Sequence, residues 1–136
     1  MASRDILDLC PELQPLCREH LAQCKSAGIN AEVDCTYRSC EEQNDDYAKG
    51  RTSPGNIITN AKGGQSAHNC TTPDGEPAAR AYDIYILQDD GTLNWDTKSL
   101  PWEQAVQIGE GLGLTAGAKF TTVVDFPHFE LPNWKT

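Results

Sequence analysis

No apolar run in this chain approaches the ~20 residues that a membrane-spanning helix needs, so insertion into a bilayer is not expected. Basic residues are scarce. Eleven Lys and Arg stand against 20 Asp and Glu, a net charge of −9 with no basic stripe, so nucleic acid is not an expected partner. The acid excess reads as surface solubility. No Cys-x-x-Cys occurs among the six cysteines, which leaves a zinc ribbon or a thioredoxin-type site poorly supported. The amino terminus, Met1 to Asp5, leads into acids and Pro11 rather than an apolar core, so it does not read as a signal peptide. The expectation is synthesis in a cytoplasm, with any export needing outside help. No repeat, linker or heptad seam is evident, and a monomer is expected.

What is present is globular. With 38% hydrophobic and 23% charged residues over 136 positions, the chain can bury a core as one domain spanning 1–136. Residues 12–27 read as a helix with Leu13, Leu16, Leu21 and the cysteines on its apolar face and Gly28 as its stop. Cys10, Cys17 and Cys24 recur every seven residues on one side, as buried small hydrophobes or as partners in disulfides formed after export. Residues 30–37 alternate, with Ala31, Val33, Cys35 and Tyr37 on one side and Glu32, Asp34 and Thr36 on the other, which predicts a half-buried strand.

Ser39-x-x-Glu42 is a capping box that opens a short helix ending by Gly50. Residues 51–66 read as a long ordered loop, a length that usually carries function. Ala81 to Leu87 is a strand followed by an Asp90-Gly91 turn, and Ser99 and Pro101 open another helix that closes at Gly111 and Gly113. A last strand around Asp125 to Leu131 carries His128. Helices early and late with strands between predict an α+β fold, a central antiparallel sheet flanked by helices.

Two short patches carry chemistry: Ser66-x-His68 with Asp83 fifteen residues after the histidine, and Asp125-x-x-His128. Two imidazoles and a carboxylate can bind a zinc ion and leave its fourth position for water. Asp83 sits in the strand Ala81-Tyr82-Asp83-Ile84-Tyr85-Ile86, where an unpaired charge would be costly. Asp125, three residues before His128, can take a proton from that water and return it to a leaving amine. Glu130 can orient His128 from the same strand face. Arg38, ending a strand before a capped helix, can clamp a carboxylate or polarise a carbonyl. The spacing alone leaves the alternative open. Each histidine can be a hydrogen-bonded residue of the fold, Asp83 can pair with an arginine, and Asp125, Glu130 and Arg38 can be surface charges. His20, on the first helix, reads as a solvated or packing residue.

The ordered set Tyr37-Arg38-Ser39-x-x-Glu42-Gln43, Gly50-Arg51-Thr52-x-Pro54-Gly55, Thr59-Asn60-Ala61-Lys62-x-Gly64-Gln65-Ser66-x-His68-Asn69 and Asp125-x-Pro127-His128-Phe129-Glu130-Leu131 resembles the LAS-type peptidoglycan peptidases. These are the zinc D-alanyl-D-alanine carboxypeptidases and dipeptidases and the phage L-alanyl-D-glutamate endolysins. The resemblance runs from about Pro11 to Leu131. It implies zinc held by His68, Asp83 and His128 in a cleft on the sheet, with Asp125 as the catalytic acid and Arg38 as the substrate-binding arginine. Gln43 and Ser66 fall on positions that line the family's substrate cleft.

The implied substrate is a peptidoglycan stem peptide and the implied reaction is L-alanyl-D-glutamate endopeptidase cleavage. The implied role is that of an endolysin that stays in the host cytoplasm until it is released to the wall. A D,D- or L,D-carboxypeptidase, a catalytically silent zinc module closed by a fourth ligand such as Cys70, and a structural disulfide protein are the other readings. Two departures stand out. The family's gap of about seven residues between first histidine and aspartate is fifteen here, as if Cys70 to Pro77 were inserted. Its tryptophan-glycine-glycine after the last helix reads Thr115-Ala116-Gly117. The inserted loop can be a lid, a disulfide anchor or decoration.

Overall fold

The computed structural model describes residues 2–121 and 123–135. Among them the main elements follow in the order α1 (Leu13–Ser26), β1 (Asn30–Cys35), α2 (Cys40–Ala48), β2 (Ala81–Leu87), α3 (Leu100–Gly111), β3 (Thr115–Ala116) and β4 (His128–Glu130). The strands form one antiparallel sheet in the order β1-β2-β4-β3. The α+β fold with a central antiparallel sheet is as the sequence leads one to expect. The two-residue β3 was not anticipated, because two residues are too few to display a period.

One face of the sheet is the core. Tyr82, Ile84 and Ile86 alternate along β2 and are all buried, and Phe129 sits beside Tyr82 across the β2–β4 pair. Two helices complete this core. α1 contributes Leu13, Cys17 and Cys24 at helical spacing, and α3 contributes Trp102, Ala105 and Val106. Gly109 of α3 explains how closely the layers fit. A Cβ there would lie 2.6 Å from the Phe129 ring and 3.1 Å from His20, so only glycine lets the helix lie against β4. His20 is a packing residue, fully buried. Its Nε2 donates to the Ala105 carbonyl at 2.9 Å and its Nδ1 accepts from the Tyr82 hydroxyl at 2.6 Å. Burial holds its pKa below the ordinary value.

The opposite face carries the polar residues. Asp83 and His128 are direct cross-strand partners on β2 and β4. β1 joins them through an irregularity. Val33 pairs with Ile84 and Cys35 pairs with Asp83, so Asp34 is an extra residue in the strand. The strict alternation expected for residues 30–37 put Cys35 with Ala31 and Val33. The bulge turns it to the other face instead, beside Asp83. All six cysteines are free thiols, with Cys10, Cys17, Cys24 and Cys35 buried.

Candidate metal centre and cleft

His68 rides on a single 3-10 turn, Ala67–Asn69, held by its own capping box. Ser66 Oγ accepts from the His68 amide at 3.2 Å, and Asn69 Oδ1 accepts from the Ser66 amide at 3.2 Å. The turn is docked on the end of β1 from both sides. The Arg38 amide donates to the His68 carbonyl at 3.0 Å, and Asn69 Nδ2 donates to the Arg38 carbonyl at 2.8 Å. The Ser66 identified from the sequence therefore positions the histidine as well as lining the cleft.

Backbone and carboxylate groups fix both ring orientations. His68 Nδ1 lies 2.7 Å from the Thr36 carbonyl, which can only accept, so this nitrogen carries the hydrogen and Nε2 is left with a lone pair. His128 Nε2 lies 2.7 Å from Glu130 Oε1 and donates to it, leaving Nδ1 as the free donor atom. The two free nitrogens and Asp83 Oδ1 then form a triangle. His68 Nε2 is 3.2 Å from Asp83 Oδ1 and 3.2 Å from His128 Nδ1, and His128 Nδ1 is 3.1 Å from Asp83 Oδ1.

Three electron-pair donors aimed at one point repel one another unless a cation stands among them. Metal–donor bonds of about 2.0–2.1 Å give a tetrahedron whose edges are about 3.3–3.4 Å, close to this triangle. The donor set of two imidazoles and one carboxylate fits a metal ion of that size. Without the ion, protons serve. Burial works against ionisation of Asp83, but the His68 charge and hydrogen bonds from both imidazoles hold its carboxyl well below the usual range. Burial likewise opposes charge on His68, and the Asp83 carboxylate outweighs it, raising the imidazole well above its ordinary value. His128 is also raised, against its burial, by hydrogen bonds to Asp83 and Glu130.

Asp125 sits at the rim. Its Oδ2 is 3.8 Å from His128 Nδ1, its side chain is 44% exposed, and its carbonyl caps the turn by accepting from the His128 amide at 3.1 Å. Burial and then the neighbouring Asp83 charge push its pKa above the ordinary carboxylate value. Gly117 makes room for this turn. A Cβ there would fall 2.2 Å from the Asp125 carbonyl oxygen and 2.8 Å from His128 Cβ. The glycine kept from the departed Trp-Gly-Gly pattern thus shapes the site.

Arg38 reaches the same centre from the other side. Its Nη1 donates to Gln43 Oε1 at 3.1 Å, its Nε faces Asp46 Oδ2 at 3.4 Å, and its Nη2 lies 3.9 Å from Asp83 Oδ2. The arginine partner weighed for Asp83 is present, and it uses the carboxylate oxygen that the histidines do not. Gln43 is buried and its Nε2 donates to the Ala61 carbonyl at 2.9 Å, so it ties Arg38 to the loop over 51–66. Two neighbours went unread in the sequence. Asp46 is one acid among several on α2. Cys35 lies with its Sγ 3.6 Å from Arg38 Nη2 and 3.8 Å from His68 Nδ1, behind the bulge.

All seven residues selected from the sequence line one cleft of about 1060 Å³: Arg38, Gln43, Ser66, His68, Asp83, Asp125 and His128. Residues 58–66 form one wall, and Phe120, Val123, Trp134 and Lys135 form another. The expected insertion, Cys70 to Pro77, folds on itself. The Ala78 amide donates to the Cys70 carbonyl at 3.0 Å, and Thr71 bridges Pro77. Of that stretch only Cys70 lines the cleft, and Cys70 is a free thiol. The closed hairpin leaves His68 and Asp83 together despite the longer gap.

No protein-family model matches the chain. It is 31% identical over 134 residues to the peptidoglycan L-alanyl-D-glutamate endopeptidase CwlK of Bacillus subtilis, an alignment covering 90% of this chain and 75% of that protein. The chain belongs to the LAS-type peptidoglycan peptidases. Its fold matches the crystal structure of the Serratia marcescens L-Ala D-Glu endopeptidase ChiX with a TM-score of 0.63 at 18% identity, covering 96% of this chain and 88% of that one. The donor triangle and the adjoining acid lie in the cleft of this family member.

Proposed function

We propose that this protein is a zinc-dependent peptidoglycan hydrolase that cuts the L-alanyl-D-glutamate bond of stem peptides. The observation that carries the reading is the convergence of His68 Nε2, Asp83 Oδ1 and His128 Nδ1 beside Asp125 in an open cleft. The relative CwlK, an L-alanyl-D-glutamate endopeptidase by name, supports the choice of bond.

A zinc ion held by His68, Asp83 and His128 supplies Lewis acidity and lowers the pKa of water. The chain's own residues supply the remainder. Asp125 accepts a proton from the attacking water as the water oxygen bonds to the alanyl carbonyl carbon. Arg38, pinned by Gln43 and Asp46, places positive charge where the carbonyl oxygen gains its negative charge. Asp125 then returns the proton to the glutamyl nitrogen as the carbon–nitrogen bond breaks, leaving an alanine carboxylate and a free amine. The shared Asp83 carboxylate ties Arg38 and both imidazoles to one centre.

Digestion of meso-diaminopimelate-type peptidoglycan by the zinc-loaded protein, with mass spectrometry of the products, tests the reading. Expected are stem fragments with new D-glutamyl amino termini, and a loss of about 10²–10⁴-fold in rate for Asp125→Ala. Release of D-alanine alone moves the assignment to a carboxypeptidase, and no product at all moves it to a silent zinc module. The endolysin role belongs to the same proposal. Expression inside Escherichia coli is expected to leave cells intact until a membrane pore is opened, and lysis without one overturns that role.

A further inference from the structure

The last described residues of the chain form part of the cleft. Asn133 adopts φ +58, the left-handed turn conformation that asparagine tolerates, and the chain reverses there. Arg80 pins the returning segment, with its Nη1 donating to the Trp134 carbonyl at 2.7 Å. The same residue is tied to the metal-site turn, its amide donating to the Ala67 carbonyl at 2.9 Å and its carbonyl accepting from Leu131 at 3.0 Å. This brings Trp134 and Lys135 into the cleft wall together with Asp125, His128 and Glu130.

Lys135 stands out by its charge balance. The cleft is lined by four carboxylates, Asp46, Asp83, Asp125 and Glu130, and by two cations, Arg38 and Lys135. Arg38 is already engaged with Asp46 and Asp83. Lys135 has no ion-pair partner among the described residues, and its Nζ lies 5.4 Å from the Trp134 ring centroid. A cation left free in an otherwise acidic cleft is poised for an anionic ligand group.

We propose that Lys135 is a specificity-determining residue that binds a free carboxylate on the stem peptide and selects against its amidated form. The inference rests on the stem-peptide reading above. Two carboxylates have this chemistry. One is the α-carboxylate that remains when glutamate is linked through its γ-carbon, and the other is the carboxylate on the side-chain centre of the diamino acid that follows.

The test uses the zinc-loaded full chain and three purified muropeptides: one with both carboxylates free, one amidated at the glutamate α-carboxyl, and one amidated at the diamino acid. Wild type is expected to favour the doubly free substrate over one amidated form by about tenfold in kcat/KM, carried by KM. The amidated form that suffers identifies which carboxylate is read. In Lys135→Ala that ratio collapses toward one, and in Lys135→Glu it inverts. Equal kcat/KM on all three substrates in wild type, or a ratio that survives in Lys135→Ala, overturns the inference while leaving the proposed hydrolase standing. No cleavage of any of the three at the L-alanyl-D-glutamate bond overturns both. Lys135 is an exposed side chain near the chain end, so its substitution does not threaten the fold.

Discussion

Glu130 Oε1 accepts a 2.7 Å hydrogen bond from His128 Nε2, and this contact leaves His128 Nδ1 facing His68 and Asp83. The two residues are neighbours on the same face of β4 with Phe129 between them pointing to the core. Alternation along three residues therefore sets both the proposed ligand and the group that orients it. Glu130→Gln offers a weaker partner and frees the ring to present either nitrogen. Zinc affinity is expected to fall by about 10–100-fold, read by competition with a calibrated chelator. An affinity equal to wild type would show that the ring is held by packing alone.

The close approach of Gly117 to the Asp125 turn leads to a second expectation. The atom that an alanine Cβ would strike at 2.2 Å is a backbone oxygen, which cannot swing aside like a side chain. Gly117→Ala must then displace the turn carrying Asp125 and His128, because the Gly117 carbonyl also accepts from the Asp125 amide at 2.9 Å. We expect destabilisation of about 1–3 kcal/mol by denaturant titration. The displacement also separates acid from metal site, so hydrolysis should fall while zinc is still bound. A variant with wild-type activity and stability would refute this account.

How much of this was legible in the sequence depends on the physical scale of each feature. His68, Asp83, Asp125 and His128 declare themselves because the donor types and the β2 alternation are local, and the structure brings all four together. The face occupied by Cys35 is not local. It depends on one extra residue, Asp34, and the pairing partner that reveals the bulge lies some 50 positions away on β2. The 70–77 hairpin is similar, since its harmlessness rests on the backbone bond from Ala78 to Cys70 rather than on composition. Asp46 is hidden differently, because on an acidic helix with Glu41, Glu42 and Asp45 nothing in the sequence marks which carboxylate meets Arg38. Lys135 was missed because a lysine near a chain end reads as solvated until the Arg80 contact folds it back.

The buried His20 gives a pH dependence that is independent of the metal centre. Burial depresses its pKa from the ordinary 6.5, so the unfolded chain takes up the proton at a pH where the folded chain does not. Stability from this group is complete above about pH 6.5 and is lost as pH falls toward the depressed folded value, with a slope approaching 1.4 kcal/mol per unit. His20→Gln can replace both hydrogen bonds, its Nε2 donating to the Ala105 carbonyl and its Oε1 accepting from Tyr82, but it takes up no proton. The wild type should therefore lose more stability than His20→Gln between pH 7 and pH 5, measured by urea titration at fixed zinc. Parallel losses in the two proteins would mean that His20 has the same pKa in the folded and unfolded chain, and a smaller loss in the wild type would mean that it is held protonated in the fold, its Nδ1 donating to Tyr82 rather than accepting.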